Sequence, residues 1–220
     1  MAGPVIVEIF AGLGNQLFQF AAGYGLARLT GSELEVLPIP GGKGRQFALD
    51  KFAIDLRYAR QRTLKQRIEN RVLHHTGIAL PGLFRQAGFS FDERFLKLRP
   101  PVRLRGYFQS ELHFAHVAGD IRRMIRLRQR LSPEAEQVAA EIDAAPLAVS
   151  IHIRRGDYGL SGPGLFHHVL DTDYYRRATR LLSALLGAEP QYFIFSDEPE
   201  RAAEDLGFLP HRRIATVGLG

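Results

Sequence analysis

The sequence predicts an α/β protein built on parallel strands. Short apolar runs alternate with longer amphipathic stretches along the chain, as in successive strand–helix units. A glycine loop, Ala11-Gly-Leu-Gly14, separates the first apolar run from the first helix. A second apolar run, Leu147-Ala-Val-Ser-Ile151, leads directly into a basic loop.

In order, Pro4 to Phe10 reads as a buried strand and Asn15 to Leu29 as a helix with Leu17, Phe18, Ala21, Tyr24 and Leu29 near one face. Thr30-Gly31 closes that helix. Glu33 to Leu37 is a second strand, and Pro38 to Gly44 a Gly- and Pro-rich loop. Arg57 to His75 reads as a polar helix, and Leu80 to Pro101 as loops and short elements. Val102 to Phe108 is expected as a strand and His113 to Arg130 as a helix. Ser132-Pro133-Glu134 has the residues of a helix start, with Ser132 as N-cap and Pro133 as the first helical residue. Pro146 to Ile153 is an apolar strand, Arg154 to Asp171 a loop, and Thr172 caps a helix through Leu186. Tyr192 to Phe195 is a short buried strand, followed by a helix over Glu198 to Leu206. A boundary between two lobes is expected within Leu131 to Pro146, dividing the chain into 1–140 and 141–220.

Composition narrows the function classes. No apolar run approaches the roughly 18 residues of a membrane span. The start, Met1-Ala-Gly-Pro, lacks the basic region of a secretory signal. The chain has no cysteine, which excludes disulfides, thiolate catalysis and cysteine-bound metals. A cytoplasmic location is the expectation, with peripheral contact at the inner membrane face as an addition to it. The formal charge of +6 points to an anionic partner. The densest cluster, Arg122, Arg123, Arg126, Arg128 and Arg130, reads first as a solvated helix face and second as a membrane-surface contact. Nucleic acid is not expected, because no aromatic residues interleave with these arginines.

The strongest local signal is His152-Ile-Arg154-Arg155-Gly156-Asp157-Tyr158, directly after an apolar strand. Ligands of open α/β sheets bind beyond the carboxyl ends of strands. Paired arginines there can hold a diphosphate through forked, charge-assisted bonds. The competing reading is an Arg–Asp ion pair that pins the loop. Gly12-Leu-Gly14-Asn15-Gln16 could bring backbone amides to a ligand at a helix N-terminus, or could be a tight turn with Asn15 as N-cap, which spacing favours. Asp197 in Phe193-Ile-Phe-Ser196-Asp197-Glu198-Pro199-Glu200 could accept hydrogen bonds from a nucleobase. It could equally form a capping box with Glu200, which spacing again favours. The pairs His74-His75 and His167-His168 point to opposite sides of any regular element and do not suggest a shared metal. Gly41-Gly-Lys43-Gly44-Arg45 resembles a phosphate loop only in composition.

Taken together, these segments resemble a known family. Phe10-Ala-Gly-Leu-Gly14-Asn15-Gln16-Leu-Phe-Gln19-Phe20-Ala21 is similar to the N-terminal signature of the bacterial and animal α-1,2-fucosyltransferases. Phe47-Ala-Leu-Asp50-Lys51-Phe52, Gly106-Tyr-Phe-Gln109-Ser110-Glu111, the His152–Tyr158 motif, Asp173-Tyr174-Tyr175 and Phe195-Ser196-Asp197-Glu198 follow in that family's order. The resemblance implies a GT-B-like fold of two Rossmann-like lobes. Residues 1–140 would form the acceptor side and 141–220 a GDP-fucose-binding lobe. It implies transfer of L-fucose from GDP-fucose to a β-galactoside-type glycan hydroxyl, with inversion and without a metal or other cofactor. By similarity Arg154 faces the departing β-phosphate, Arg155 supports its loop, and His152 and Asp197 contact the guanine. Gly14 and Asn15 face the sugar end of the donor or the acceptor. Asp157 is a candidate base. The family continues beyond the Ser-Asp-Glu segment with a tryptophan-containing motif, whereas this chain stops at Val217-Gly-Leu-Gly220 and has no tryptophan. The C-terminal lobe is therefore expected to be incomplete. The alternatives are a non-catalytic GDP-sugar or glycan-binding module and a transferase that uses another GDP-sugar.

Overall fold

The structure, a computed structural model, describes residues 3–40, 46–60, 82–154 and 170–215. Outside these residues lie Gly41–Arg45, His74-His75, most of the expected helix over Arg57–His75, Arg155, Asp157, Tyr158 and His167-His168. The chain forms two compact units, 1–130 and 131–220. A division at 140/141 falls inside a helix of the second unit.

The first unit is a four-stranded parallel sheet. Its strands are β1 (Val5–Ile9), β2 (Leu34–Pro38), β3 (Leu83–Arg85) and β4 (Val102–Arg105), in the order β2-β1-β4-β3. Helix α1 (Leu13–Thr30) follows β1 and ends at Gly31, whose φ of 64° and N–H bond to the Ala27 carbonyl close the last turn. The odd positions Val5, Val7 and Ile9 are buried with Phe20, Ala22 and Leu26 of α1 and with Leu104. Each of these side chains larger than alanine stabilises the unit by about 1.5–3 kcal/mol relative to exposure. Gly25 lets α1 approach closely, since a Cβ there would sit 2.7 Å from the His113 carbonyl oxygen.

The even face of β1 carries Glu8, fully buried between two strands. Arg105 Nη1 lies 3.1 Å and Arg103 Nε 3.6 Å from its carboxylate oxygens. A buried carboxylate of this kind needs paired cations, and β4 supplies them from alternate positions on one face.

The second unit is a three-stranded parallel sheet of β5 (Ala148–Ile153), β6 (Gln191–Ser196) and β7 (Arg212–Ala215), in that order. Helices cover both faces, as parallel strands require. The short helix α2 (Ala118–Met124) belongs to the first unit. Helix α3 (Pro133–Ala144) packs Val138 and Ile142 against Phe193 and Ala215. On the other face, Tyr175 of α4 (Thr172–Leu186) and Ala202 of α5 (Pro199–Asp205) pack with Ile151, Ile153, Tyr192 and Ile194.

The α/β class is thus as the sequence predicts, and several details differ. Strands β3 and β7 were not expected. Strand β4 stops at Arg105 rather than Phe108, because Gly106 lies against the Gln86 side chain and Phe108 adopts a φ of 51°. Residues 57–60 run extended beside β2, with Val36 N–H donating to the Arg57 carbonyl and Ala59 N–H to the Val36 carbonyl. The expected helix over 113–130 is instead two 3-10 turns, Glu111–His113 and Ala115–Val117, leading into the short α2. The arginine cluster therefore does not share one helix face: Arg126, Arg128 and Arg130 follow α2, and Arg128 donates to the Ile54 carbonyl. Ser132 does cap α3, accepting from Ala135 N–H, with Pro133 in the first turn. In α4 the cap is Asp171 rather than Thr172.

His113 is fully buried, with the rings of Phe91, Phe95 and Phe108 meeting it edge to face. Its Nδ1 sits 2.9 Å from the Ser110 carbonyl oxygen and must donate to it. Burial holds its pKa below the ordinary value of 6.5, against smaller opposing effects of the Ser110 bond and of Asp92. Below pH 6.5 the unfolded chain takes up a proton that the native imidazole resists, so the stability contributed above that pH is lost on acidification. The stability of wild type should fall more steeply than that of His113→Gln below pH 6.5, by at most about 1.4 kcal/mol per pH unit. Urea titrations at pH 5 to 8 measure this; parallel curves would show that His113 does not titrate between the two states.

Candidate active site

In the second unit, β5 and β6 are paired in parallel with His152 beside Phe195 and Ile153 beside Ser196. One further step in this register makes Arg154 and Asp197 neighbours at the carboxyl end of the sheet. Both are exposed. Asp197 does not head a capping box. The N-cap of α5 is Glu198, which has no side-chain cap bond, and Glu198 N–H donates to Ser196 Oγ. That bond holds the turn in which Asp197 sits.

His152 is exposed on the sheet face opposite Ile151 and Ile153. It borders a cleft of about 280 Å³ along β5 that Tyr174 and Tyr175 of α4 also line. The structure therefore brings His152, Arg154 and Asp197 to two adjacent strands and their ends. Arg155 and Asp157 lie outside the described residues.

In the first unit, Gly14 and Asn15 open α1 at the carboxyl end of β1. The N-cap of this helix is Gly12, not Asn15. The Asn15 side-chain oxygen Oδ1 instead accepts from Gln109 Nε2 at 2.6 Å, joining the first turn of α1 to the loop that follows β4. Gly14 is exposed, with nothing near a hypothetical Cβ. Ala11 holds a φ of 66°, uncommon for a residue with a Cβ.

Two buried side chains hold this strained turn. Gln16 donates to the Ala11 carbonyl at 2.9 Å and the Gln46 carbonyl at 2.8 Å, and its oxygen accepts from Ala48 N–H at 2.9 Å. Gln19 accepts from Phe10 N–H at 2.9 Å. Sequence reasoning gave neither glutamine a role. The available signal was their place, one turn apart, on the inward side of an otherwise apolar helix.

Among the described residues no group of three or more His, Asp or Glu could hold a metal ion. Nor is any described helix long and apolar enough to cross a membrane.

Parallel sheets with helices on their faces, and charged or glycine-rich segments at the strand ends, define an α/β protein of two sheet units. The fold is that of the fucosyltransferase NodZ from Bradyrhizobium, with a TM-score of 0.52 over 99% of this chain and 80% of that one, at 15% identity. This GT-B-like fold is the one implied by the sequence motifs. No family model matches the chain. It is 28% identical over 214 residues to the alpha-1,2-colitosyltransferase of Escherichia coli, covering 89% of this chain and 69% of that protein. It is 27% identical over 233 residues to the O-antigen biosynthesis glycosyltransferase WbnK of Escherichia coli, covering 91% and 74%. Both relatives are named as glycosyltransferases, and the likeness to NodZ adds the fold.

The glutamine network generates a test. Replacing Gln16 with Leu removes three bonds and leaves the Ala48 N–H without its partner. A buried donor so orphaned costs about 1–3 kcal/mol. Gln16→Leu should lower the urea midpoint accordingly, while Gly14→Ala should leave it nearly unchanged. Equal midpoints for Gln16→Leu and wild type would show that the loop does not need its side-chain scaffold.

Proposed function

We propose that the chain is an inverting, metal-independent glycosyltransferase that moves L-fucose from GDP-fucose to a hydroxyl of a β-galactoside-type glycan. Its alignment over about nine-tenths of its length with two glycosyltransferases carries this reading. The neighbouring positions of Arg154 and Asp197 at a parallel-sheet end support it. NodZ, which shares the fold, has been crystallised with GDP and soaked with GDP-fucose, and this supports the donor class.

On this reading the acceptor oxygen bonds to the fucose anomeric carbon as the bond to the β-phosphate oxygen breaks. The acceptor proton goes to a base, for which Asp157 is the candidate, and GDP leaves. Arg154 offsets the charge that develops on the departing phosphate. A guanidinium fork supplies in place what a metal would otherwise supply. Arg155 supports the loop, His152 and Asp197 hold the guanine, and Gly14 and Asn15 face the reacting sugars.

A second reading, in which the enzyme uses a different sugar, has one specific support: a relative is named for colitose transfer. The linkage is open in the same way, since NodZ is an α-1,6-fucosyltransferase.

Incubation with GDP-fucose and a β-galactoside, with detection of GDP and of the glycoside product, tests the first reading. A panel of GDP-sugars tests the second. Arg154→Ala should reduce transfer about 100- to 1000-fold, the usual effect of losing one charge-stabilising donor. Arg154→Lys should also fail substantially, because a point charge lacks the fork. Transfer by Arg154→Ala within a factor of about two of wild type would reject this role, since an effect that small is far below the one expected.

EDTA should leave the transfer rate unchanged if protein cations alone carry the leaving group. Loss of activity on chelation, restored by Mn²⁺ or Mg²⁺, would overturn the metal-independent mechanism.

A further inference from the structure

The first unit presents an aromatic surface at the carboxyl end of its sheet. Phe89, after β3, and Tyr107, after β4, stack with ring centroids 5.8 Å apart and planes 29° apart. Phe10, after β1, meets Tyr107 edge to face at 5.4 Å. Phe20, Phe52, Phe95 and Phe108 of the same unit are buried, whereas Phe89 is 66% and Tyr107 37% exposed. Two large rings held together in solvent, at the end of the sheet where α/β proteins bind ligands, mark a contact surface.

The surface is fixed rather than incidental. Gln86 is buried, and its oxygen accepts from Phe108 N–H at 2.8 Å while its amide donates to the Ser90 carbonyl at 3.2 Å. One side chain thus ties the residue after Phe89 to the residue after Tyr107. Two residues after Tyr107, the Gln109 side-chain amide bonds that of Asn15 and brings polar groups to the same end of the sheet. Among the described residues, the Asn15 amide nitrogen and the Gln109 carbonyl oxygen remain as one donor and one acceptor without a partner.

Stacked rings and a neutral donor–acceptor pair at one end of a sheet match the chemistry of a pyranose. Such a sugar has a face of C–H groups that packs on an aromatic ring and a rim of hydroxyls that both give and accept hydrogen bonds. A galacto-configured ring fits best, because its axial 4-hydroxyl leaves the opposite face a continuous C–H patch. We propose that Phe89 and Tyr107, with the Asn15–Gln109 amide pair, form the binding subsite for a pyranose of the acceptor glycan. This inference rests on the glycosyltransferase reading for calling the sugar an acceptor. The platform residues are neutral, whereas the charged groups suited to a nucleoside diphosphate, Arg154 and Asp197, belong to the second unit.

The chain has no tryptophan, so Phe89→Trp places a single fluorescent reporter on the platform. Titration of this variant with methyl β-galactoside, lactose and N-acetyllactosamine should give a saturable emission change at millimolar concentrations. Adding Tyr107→Ala should raise the saccharide Kd about tenfold, the scale of one lost aromatic contact. Because both rings are exposed, melting curves should be preserved. In turnover, Phe89→Leu should raise the acceptor KM and leave the donor KM unchanged. GDP affinity, measured by calorimetry on the same proteins, reports separately on the transferase reading. Saccharide binding without GDP binding would uphold the platform while overturning the transferase assignment. No emission change with any of the three sugars, in protein that binds GDP, would overturn the platform. So would saccharide affinity indifferent to Tyr107→Ala. An emission change produced by GDP instead of the sugars would make this a base-stacking site and would also overturn the proposal.

Discussion

Where a parallel strand ends, its backbone loses the ladder that satisfied its polar groups, yet the loops that follow must pack closely to make a site. Buried glutamine side chains meet that constraint in the first unit. Gln19 serves Phe10 N–H after β1. Gln16 serves Ala11, Gln46 and Ala48 in the turn and its neighbouring segment. Gln86 serves Phe108 after β4. An amide side chain suits this role because it donates and accepts at once and carries no charge to desolvate. The left-handed conformations of Ala11 and Phe108 occur at or next to residues held this way. Conformations of that kind persist where surrounding bonds over-determine them.

The same scaffold explains why surface features of the first unit are ordered relative to one another. Asn15 comes from the first turn of α1, and Tyr107 and Phe89 come from two different loops. Each segment is bound to another by a side-chain amide or a ring contact: Asn15 to Gln109, Phe10 to Tyr107, and Phe89 to Tyr107. A change at Gln86 would therefore be felt at Phe89 and Tyr107 together. The second unit is built differently, with a serine at its strand end: Ser196 accepts from Glu198 N–H and shapes the turn that carries Asp197.

The regular elements were legible in sequence where a single period ran long enough. Helix α1, strands β1, β2, β5 and β6, and the Ser132-Pro133 start of α3 needed only local pattern. Strand β3 is three residues long and β7 carries two arginines, so neither gives an apolar run. The stretch after Ser110 has helical composition, but burial of His113 among three phenylalanines goes with tight 3-10 turns instead. Asn15 and Asp197 mislead as cap candidates for a common reason. Short polar residues near a helix start suggest caps, whereas Asn15 finds its partner 94 residues away and Asp197 stands one position before the actual N-cap. Of the candidate site, Gly14, Asn15, His152, Arg154 and Asp197 fall at strand ends or on a strand beside them, as their motifs suggested. The glutamines and the Phe89–Tyr107 pair escaped notice because their meaning lies in contacts between loops.

Net charge is a poor guide to where an anion would bind in this protein. The chain carries an excess of six positive charges, but many arginines are committed locally. Arg103 and Arg105 offset the buried Glu8, Arg57 pairs with Glu33, Arg94 with Asp92, Arg123 with Asp120 and Arg213 with Glu141. Arg128 and Arg212 bond to backbone carbonyls of nearby turns. A guanidinium engaged in this way fixes structure and adds little to the field at a distance, because exposed pairs are screened within about 10 Å. What distinguishes Arg154 is therefore its position: it leaves a parallel strand at the carboxyl end, next in register to Asp197. Sheet topology, more than the number of arginines, sets Arg154 apart from the arginines that pair along the surface.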